Sequence, residues 1–335
     1  MITSGIFFKN FKIKKKNLGL KKKFKDLIQN NDQVIKSLNK NYKDFFEKKS
    51  LKKYKNFNDL RLIGMGGSSL GTQAIYSFLK HKVKKKFVFI DDLSSQPKIN
   101  QSKKNLNLIV SKSGNTIETI VNSNILIKKN HKNIFITENK NNYLKKIAEK
   151  IKCEIIEHKN YIGGRYSVLS EVGMLPAELM GLNEKKFKQF NYLINNKNFI
   201  NNLIKNVEGI LQCIKKRKTN SVILNYDEDS QSLFYWYQQL VAESLGKKSK
   251  GILPIISSMP KDNHSLMQLY LDGFKNNFYT FFFVNQSYSS IINNNKLLET
   301  HYYLKNKNLK KIKYSQFLAT KKIFEKKKSL LGLSL

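Results

Sequence analysis

The sequence predicts an α/β protein built on two parallel sheets, each flanked by helices in three layers. Three observations predict it. Between residues 60 and 156, short apolar runs alternate with stretches of helical spacing. Strands alternating with helices imply a parallel sheet covered on both faces. The same alternation restarts at Ser221, after a mostly helical stretch. The turns that end several runs are rich in glycine and serine. In open α/β sheets, ligands bind at the carboxyl ends of the strands, where these turns fall.

Residues 106–119, LNLIVSKSGNTIET, organise the rest. Leu106, Leu108, Ile109 and Val110 form an apolar run short enough for a buried strand. Helical spacing resumes with Ile117, Ile120, Val121 and Ile125 on one face. The polar turn between them, Ser111-Lys112-Ser113-Gly114-Asn115-Thr116, sits at a helix N-terminus. Free backbone N–H groups and the helix dipole favour an anion there. The bland reading is an ordinary turn that caps a helix. Three hydroxyls within six positions exceed what one cap needs. No Walker pattern is present, so the expected ligand is a phosphate ester held by hydroxyls and Lys112.

Composition bounds the alternatives. The 335 residues are 40% hydrophobic, enough for two or three domains with real cores. Cys153 and Cys213 share no metal-type spacing, no signal peptide is evident, and both fit ordinary buried thiols in a reducing cytoplasm. No apolar run approaches the ~18 residues of a membrane span. Net charge is +38, which raises nucleic-acid binding as a hypothesis. Lysine is spread through every segment, and Arg61, Arg165 and Arg217 are the only arginines. Base readout leans on arginine forks, so no specific nucleic acid is expected. The diffuse positive field still favours an anionic substrate.

In order, residues 1–55 are expected to form an N-terminal helical segment, with one helix at 32–46. Residues 60–63 are a strand leading into Gly64-Met65-Gly66-Gly67-Ser68-Ser69-Leu70-Gly71. Ala74, Ile75, Phe78 and Leu79 then mark a helix. The glycine spacing fits a dinucleotide fingerprint poorly, although Asp91 and Asp92 follow the strand 87–90 as a ribose-binding acid would. Strands are expected at 106–110, 133–137 and 153–156, and helices at 117–128 and 143–150. Gly163-Gly164-Arg165 presents an arginine after two flexible glycines, for a salt bridge or for a fixed charge in a site.

Residues 176–217 form a helical connecting layer, with Pro176 in a first turn. A strand at 221–226 precedes a helix at 229–245. On it Leu233, Trp236, Leu240 and Ser244 share one face, and Gln239 and Glu243, four apart, line one side together. A solvated glutamate is the default for Glu243, because a carboxylate needs a special environment to act as a base. A short strand lies within 251–259. His264 opens the helix 266–271, as a cap, a packed side chain or a functional group. The aromatic run 278–284 is a buried strand, and 314–331 a lysine-rich helix.

Five stretches together resemble the glucose-6-phosphate isomerase family: IGMGGSSLG at 63–71, SKSGNTIET at 111–119, GGRYSVLSEVG at 163–173, QQLVAESLGK at 238–247 and NHSLMQL at 263–269. They occur in the family's order. The resemblance implies two sugar-isomerase (SIS) domains, at 56–175 and 218–335, and interconversion of glucose 6-phosphate and fructose 6-phosphate without cofactor or metal. By motif position, Ser111, Lys112, Ser113 and Thr116 would grip the phosphate. Gly67, Ser68, Gly164 and Gln239 would complete the substrate site. Glu243 would carry a proton between C1 and C2, Arg165 would stabilise the enediolate, and His264 would assist ring opening. The family pattern brings His264 from a neighbouring subunit, so a homodimer is implied.

Gly114 and Asn115 depart from the bulkier residues common in the family. Members also continue through a glycine- and lysine-bearing motif that supplies a catalytic lysine. This sequence shows no counterpart before Leu335, since Lys326, Lys327 and Lys328 stand in another context. The second domain is therefore expected to be incomplete. The alternatives are a non-catalytic SIS-domain sugar-phosphate binder, which would need the phosphate loop but not Glu243, and the bifunctional phosphoglucose/phosphomannose isomerase branch, which would lack GGRYSV.

Overall fold

The computed structural model describes residues 6, 18–30, 32–94, 105–128, 131–285, 289–292 and 299–327. The lysine run at 12–16 and the last residues of the expected terminal helix, 328–331, lie outside them. The chain forms two compact units. One comprises Phe24–Asn195 and Asp229–Ser244; the other comprises Met1–Lys23, Asn196–Glu228 and Leu245–Leu335.

Helix α1 spans Leu18–Gln29 and is followed by α2 at Gln33–Ser37. The expected helix over 32–46 is thus cut to five residues. Asp32 caps its start by accepting from Val34 N and Ile35 N. Its continuation is drawn off by tertiary bonds. Tyr42 Oη and Phe45 N both donate to the buried carboxylate of Glu171, each at 3.0 Å. Burial raises the pKa of Glu171 above its ordinary value. Helix α3 (Lys48–Leu51) then leads to β1 (Asp59–Ile63), helix α4 (Leu70–Phe78) and β2 (Lys86–Ile90).

Next come β3 (Asn105–Val110), α5 (Ile117–Leu126), β4 (Lys132–Thr137), α6 (Tyr143–Lys150) and β5 (Glu154–Glu157). The five strands form one sheet in the order β2-β1-β3-β4-β5, every pair parallel. Alternation along β3 sets the layers. Leu106, Leu108 and Val110 enter one core with Leu60, Leu62, Ile134 and Ile136. Ile109 enters the other with Ile63, Phe135, Leu126 and Leu144. Side chains of period two feed both faces, so both faces need cover. Helix α5 turns a largely polar face inward. It buries Thr119, Asn122, Ser123 and Leu126, while Ile117 and Ile125 stay 62% and 61% exposed.

Helix α7 (Glu171–Leu179) carries Pro176 in its interior, not in a first turn. The proline removes the N–H that would bond the Val172 carbonyl. The Thr72 hydroxyl of α4 donates to that carbonyl instead, at 3.1 Å. The helix therefore starts earlier than the proline alone signals. Helix α8 (Phe190–Asn195) closes this stretch.

In the second unit, α9 (Lys197–Lys215) precedes β6 (Asn220–Asn225). The chain returns to the first unit for α10 (Gln231–Leu245), whose Trp236 packs against the core containing Leu106 and Val168. Strand β7 (Leu253–Ser258), helix α11 (Met267–Asp272), strand β8 (Asn277–Phe282) and helix α12 (Leu309–Lys327) complete the second unit. Its sheet runs β7-β6-β8, again parallel. Val222, Leu224, Tyr279 and Phe281 pack on one face with Phe317 and Phe324 of α12. On the other face Phe278 packs with Cys213 of α9. The aromatic run thus feeds both layers. Cys213 is buried as expected, while Cys153 is only partly so. Among the described residues no helix is long and apolar enough to cross a membrane.

Candidate active site

Within the first unit, four polypeptide turns converge beyond the carboxyl ends of β1, β3, β4 and β5. The glycines of the first turn let them touch. Gly66 stands at φ +53°, and a Cβ on Gly67 would lie 2.2 Å from the Gly164 carbonyl carbon. Backbone meets backbone there, and only glycine fits without moving one of the turns. The Ser167 hydroxyl donates to Gly164 O at 2.7 Å and lies 3.2 Å from Gly67 O, which fastens the same junction. In the β3 turn, Gly114 at φ +65° packs where a Cβ would overlap Asn142. Its departure from the family's usual side chain is thus required by this chain's own Asn142.

These turns enclose a cavity of about 260 Å³. Six residues singled out from sequence line it: Gly67, Ser68, Lys112, Ser113, Thr116 and Gly164. Ser111 is buried behind the cavity. Its hydroxyl is 2.9 Å from Thr116 Oγ1 and accepts from Gly114 N at 3.2 Å, so it shapes the turn. Lys112 Nζ donates to Asn160 O at 2.6 Å. Hydroxyls, an ammonium and the first turn of α5 together form a place for an anion.

Two cavity residues were missed by the sequence reading, Met65 and Glu138. Glu138 follows β4 directly, and its place at a strand's carboxyl end was the available signal. Glu138 Oε1 lies 3.5 Å from Lys112 Nζ, and Oε2 lies 3.1 Å from Lys140 Nζ. The buried His158 imidazole, just past β5, is held below its ordinary pKa first by burial, with the Lys112 charge acting the same way.

Gly164 lines the cavity, and the next residue, Arg165, reaches α10. Arg165 Nη1 donates to Glu243 Oε2 at 3.0 Å, and Nε donates to Ser244 Oγ at 3.0 Å. The guanidinium lies 4.5 Å from the Tyr166 ring centre, and Tyr166 Oη is 2.8 Å from Ser244 Oγ. Burial disfavours the charge on Arg165, but Tyr166 and Glu243 outweigh it and raise its pKa. Trp236 Nε1 donates to the Arg165 carbonyl at 3.1 Å. The face of α10 that sequence assigned to Trp236 and Ser244 is therefore the one that fastens Arg165.

Gln239 is not among the cavity residues. Its Nε2 donates to Glu243 Oε1 at 2.7 Å, so both carboxylate oxygens of Glu243 are engaged. The spacing of four placed this pair on one side of the helix, as expected. Asp91 accepts from Gln73 Nε2 and Ser69 Oγ, which ties it to α4 and its cap. His264 belongs to the other unit, where it is exposed just after β7. There Asp262 accepts from Ser257 Oγ, Ser258 N and Ser265 Oγ and so fixes the turn that carries His264. Among the described residues no three His, Cys, Asp or Glu side chains cluster as a metal site requires.

The sequence model of phosphoglucose isomerase matches residues 16–253. A glucose-6-phosphate isomerase of Methanocaldococcus jannaschii is 35% identical over 261 residues, covering 72% of this chain and 64% of that protein. A glucose-6-phosphate isomerase of Campylobacter jejuni is 33% identical, covering 66% of this chain and 59% of that protein. The chain thus spans about three fifths of the length of these relatives. Among solved structures, a hypothetical protein of Thermus thermophilus superposes with a TM-score of 0.79 at 23% identity, covering 94% of this chain and 83% of that one. A glucose-6-phosphate isomerase of Chlamydia trachomatis superposes at 0.63 with 17% identity, covering 82% and 58%. At these identities the superpositions speak for the fold.

Proposed function

The chain belongs to the phosphoglucose isomerase family, and from that premise we propose that it interconverts glucose 6-phosphate and fructose 6-phosphate by proton transfer through an enediolate. One observation carries the reading. A cavity lined by hydroxyls and Lys112 ends at Gly164, and the very next residue pairs with a carboxylate, Glu243. A phosphosugar isomerase needs an anion cradle, a base and a fixed cation, and the hydroxyl-lined turns, Glu243 and Arg165, all within one unit, support that reading.

In this reading Lys112, Ser113, Thr116 and Ser68 hold the phosphate, and Ser111 holds the turn. Binding energy from the unreactive phosphate orients the reacting carbons. Glu243 takes the proton from C2 of the aldose and returns it to C1, and the hydroxyl proton passes from O2 to O1, which yields the ketose. Arg165 stabilises the negative charge that develops on oxygen, a task suited to a cation fixed beforehand by Ser244 and Trp236. Gln239 orients the Glu243 carboxylate. The family resemblance adds ring opening assisted by His264 of a neighbouring subunit, and hence a homodimer; the two cysteines without metal-type spacing support a cytoplasmic location. No cofactor enters this reading.

The test is a coupled assay of residues 1–335 with fructose 6-phosphate, reading glucose 6-phosphate, beside calorimetric binding of the same ester. Turnover lost in Glu243→Gln, and ester binding weakened in Lys112→Ala, are the expected results. Ester binding without any turnover would favour a sugar-phosphate binder. Loss of affinity for unphosphorylated sugar equal to that for the ester would move the phosphate elsewhere.

A further inference from the structure

The cavity has one carboxylate in its wall, and that wall is where an anion is to bind. Glu138 is not a surface charge screened by water: its side chain is 12% exposed. Its backbone is bound to the β3 turn, because Glu138 N donates to Lys112 O at 3.1 Å, which fixes the point from which the side chain starts. Its two oxygens are divided between two ammonium groups. Oε1 faces Lys112, 30% exposed, at 3.5 Å; Oε2 faces Lys140, 66% exposed, at 3.1 Å. Lys112 is also fixed from the other side by the Asn160 carbonyl, at 2.6 Å.

A phosphate dianion entering this cavity meets a cation already paired and a carboxylate of its own sign. Coulomb repulsion at such a site is screened far less than at a surface. Lys112, Glu138 and Lys140 together carry one net positive charge, and Glu138 offsets part of the pull on the dianion until Lys112 changes partner. We propose that Glu138 is a charge-exchange residue that sets phosphate affinity: it holds Lys112 in the empty cavity, yields it to the phosphate ester, and is then balanced by Lys140. The proposal rests on the phosphosugar reading of this cavity.

The residue is thereby a negative counterweight. Uniformly tight binding of substrate and product does not speed the chemical step, and a pocket that opposes its own anion releases product faster. Lys140, though outside the cavity wall, belongs to the binding apparatus through Glu138. Removing Lys140 leaves the carboxylate less compensated and the dianion more strongly repelled.

The experiment is calorimetric binding of inorganic phosphate and of glucitol 6-phosphate, an open-chain ester that cannot isomerise, to the full chain and to Glu138→Gln, Lys140→Ala and the double variant. Glu138→Gln is expected to bind both anions about ten-fold more tightly, the scale of one removed charge near a dianion at intermediate screening. Lys140→Ala is expected to weaken binding about three-fold in the native background, and to change nothing once Glu138 is Gln, the non-additivity of a coupled pair. Because Lys140 is exposed, its variant tests the idea even where Glu138→Gln fails to fold: unchanged or tighter binding of both anions in Lys140→Ala alone would overturn it. Unchanged or weaker binding in Glu138→Gln would overturn the proposal, as would an equal Lys140 effect in both backgrounds. A native chain that binds neither anion would overturn the phosphosugar reading as well.

Discussion

Arg165 Nη1 donates to Glu243 Oε2 at 3.0 Å, and the two residues come from segments 78 positions apart. The pair joins the turn after β5 to α10. Its members differ in exposure, 20% for the Arg165 side chain and 47% for that of Glu243. An ion pair this exposed at one end adds little stability, typically ~0–1 kcal/mol. Its value lies in geometry. Arg165 is held by Ser244 and its carbonyl by Trp236, so the residue keeps two anchors besides Glu243.

Glu243→Gln is accordingly expected to fold normally and to lower turnover by about 10²–10⁴-fold, the range of a lost general base. Binding of glucitol 6-phosphate should change less than about three-fold, since phosphate contacts dominate it. A coupled assay and calorimetry on one preparation check both figures. Turnover retained within a factor of ten would remove Glu243 from the proton transfer.

Trp236 is the chain's single tryptophan, and its indole bonds the residue proposed to meet the enediolate. Binding of glucitol 6-phosphate should therefore change its emission saturably, with the midpoint seen by calorimetry. In Lys112→Ala the midpoint should move to higher ester concentration. A flat emission trace across a calorimetric transition would show that the Arg165 turn does not respond to the ligand.

The strands were readable because their apolar runs are short and end in glycine or polar turns; β1 and β3 fall within one residue of their expected bounds. The cavity's serines and glycines were readable for the same reason, being local to those turns. What failed was non-local. Nothing in residues 32–46 says that Glu171 will accept from Tyr42 and Phe45 and stop the helix. Ile117 and Ile125 share a face in the sequence, but the sequence does not say that α5 buries Thr119 and Ser123 instead. Glu138 escaped notice because its meaning comes from Lys112, which is 26 positions away in sequence and 3.5 Å away in space.

Pro176 was misplaced for a related reason, and the correction is testable. Its helix survives because Thr72 Oγ1 supplies the donor that the proline lacks, and both Thr72 and Val172 are 1% exposed. Thr72→Val keeps the shape and leaves the Val172 carbonyl buried without that donor. Such a change costs about 1–3 kcal/mol. Urea denaturation should show the loss in Thr72→Val and a much smaller one in Thr72→Ser. Equal stability of all three forms would mean that the carbonyl finds another donor.

His158 links stability to pH. It is 2% exposed; its backbone N–H donates to Thr137 O at 2.8 Å, and ring Nδ1 lies 3.0 Å from Lys159 O. Burial is the first reason that its pKa falls below the ordinary 6.5; the Lys112 charge adds to it, while the Lys159 carbonyl and Glu138 oppose it. The sign follows from proton counting. As pH falls below 6.5, the unfolded chain takes up a proton that the folded chain resists, so ΔG of unfolding decreases with falling pH. The His158 contribution is fully present above 6.5 and is lost as pH falls toward the folded value. His158→Gln lacks that titration. Urea denaturation at pH 8, 6.5 and 5.5 should therefore show the native chain losing more stability than His158→Gln over the same interval. Parallel curves would place the imidazole's proton uptake outside folding. A steeper loss in the variant would reverse the sign and show that the folded chain favours the imidazolium, with Glu138 outweighing both burial and Lys112.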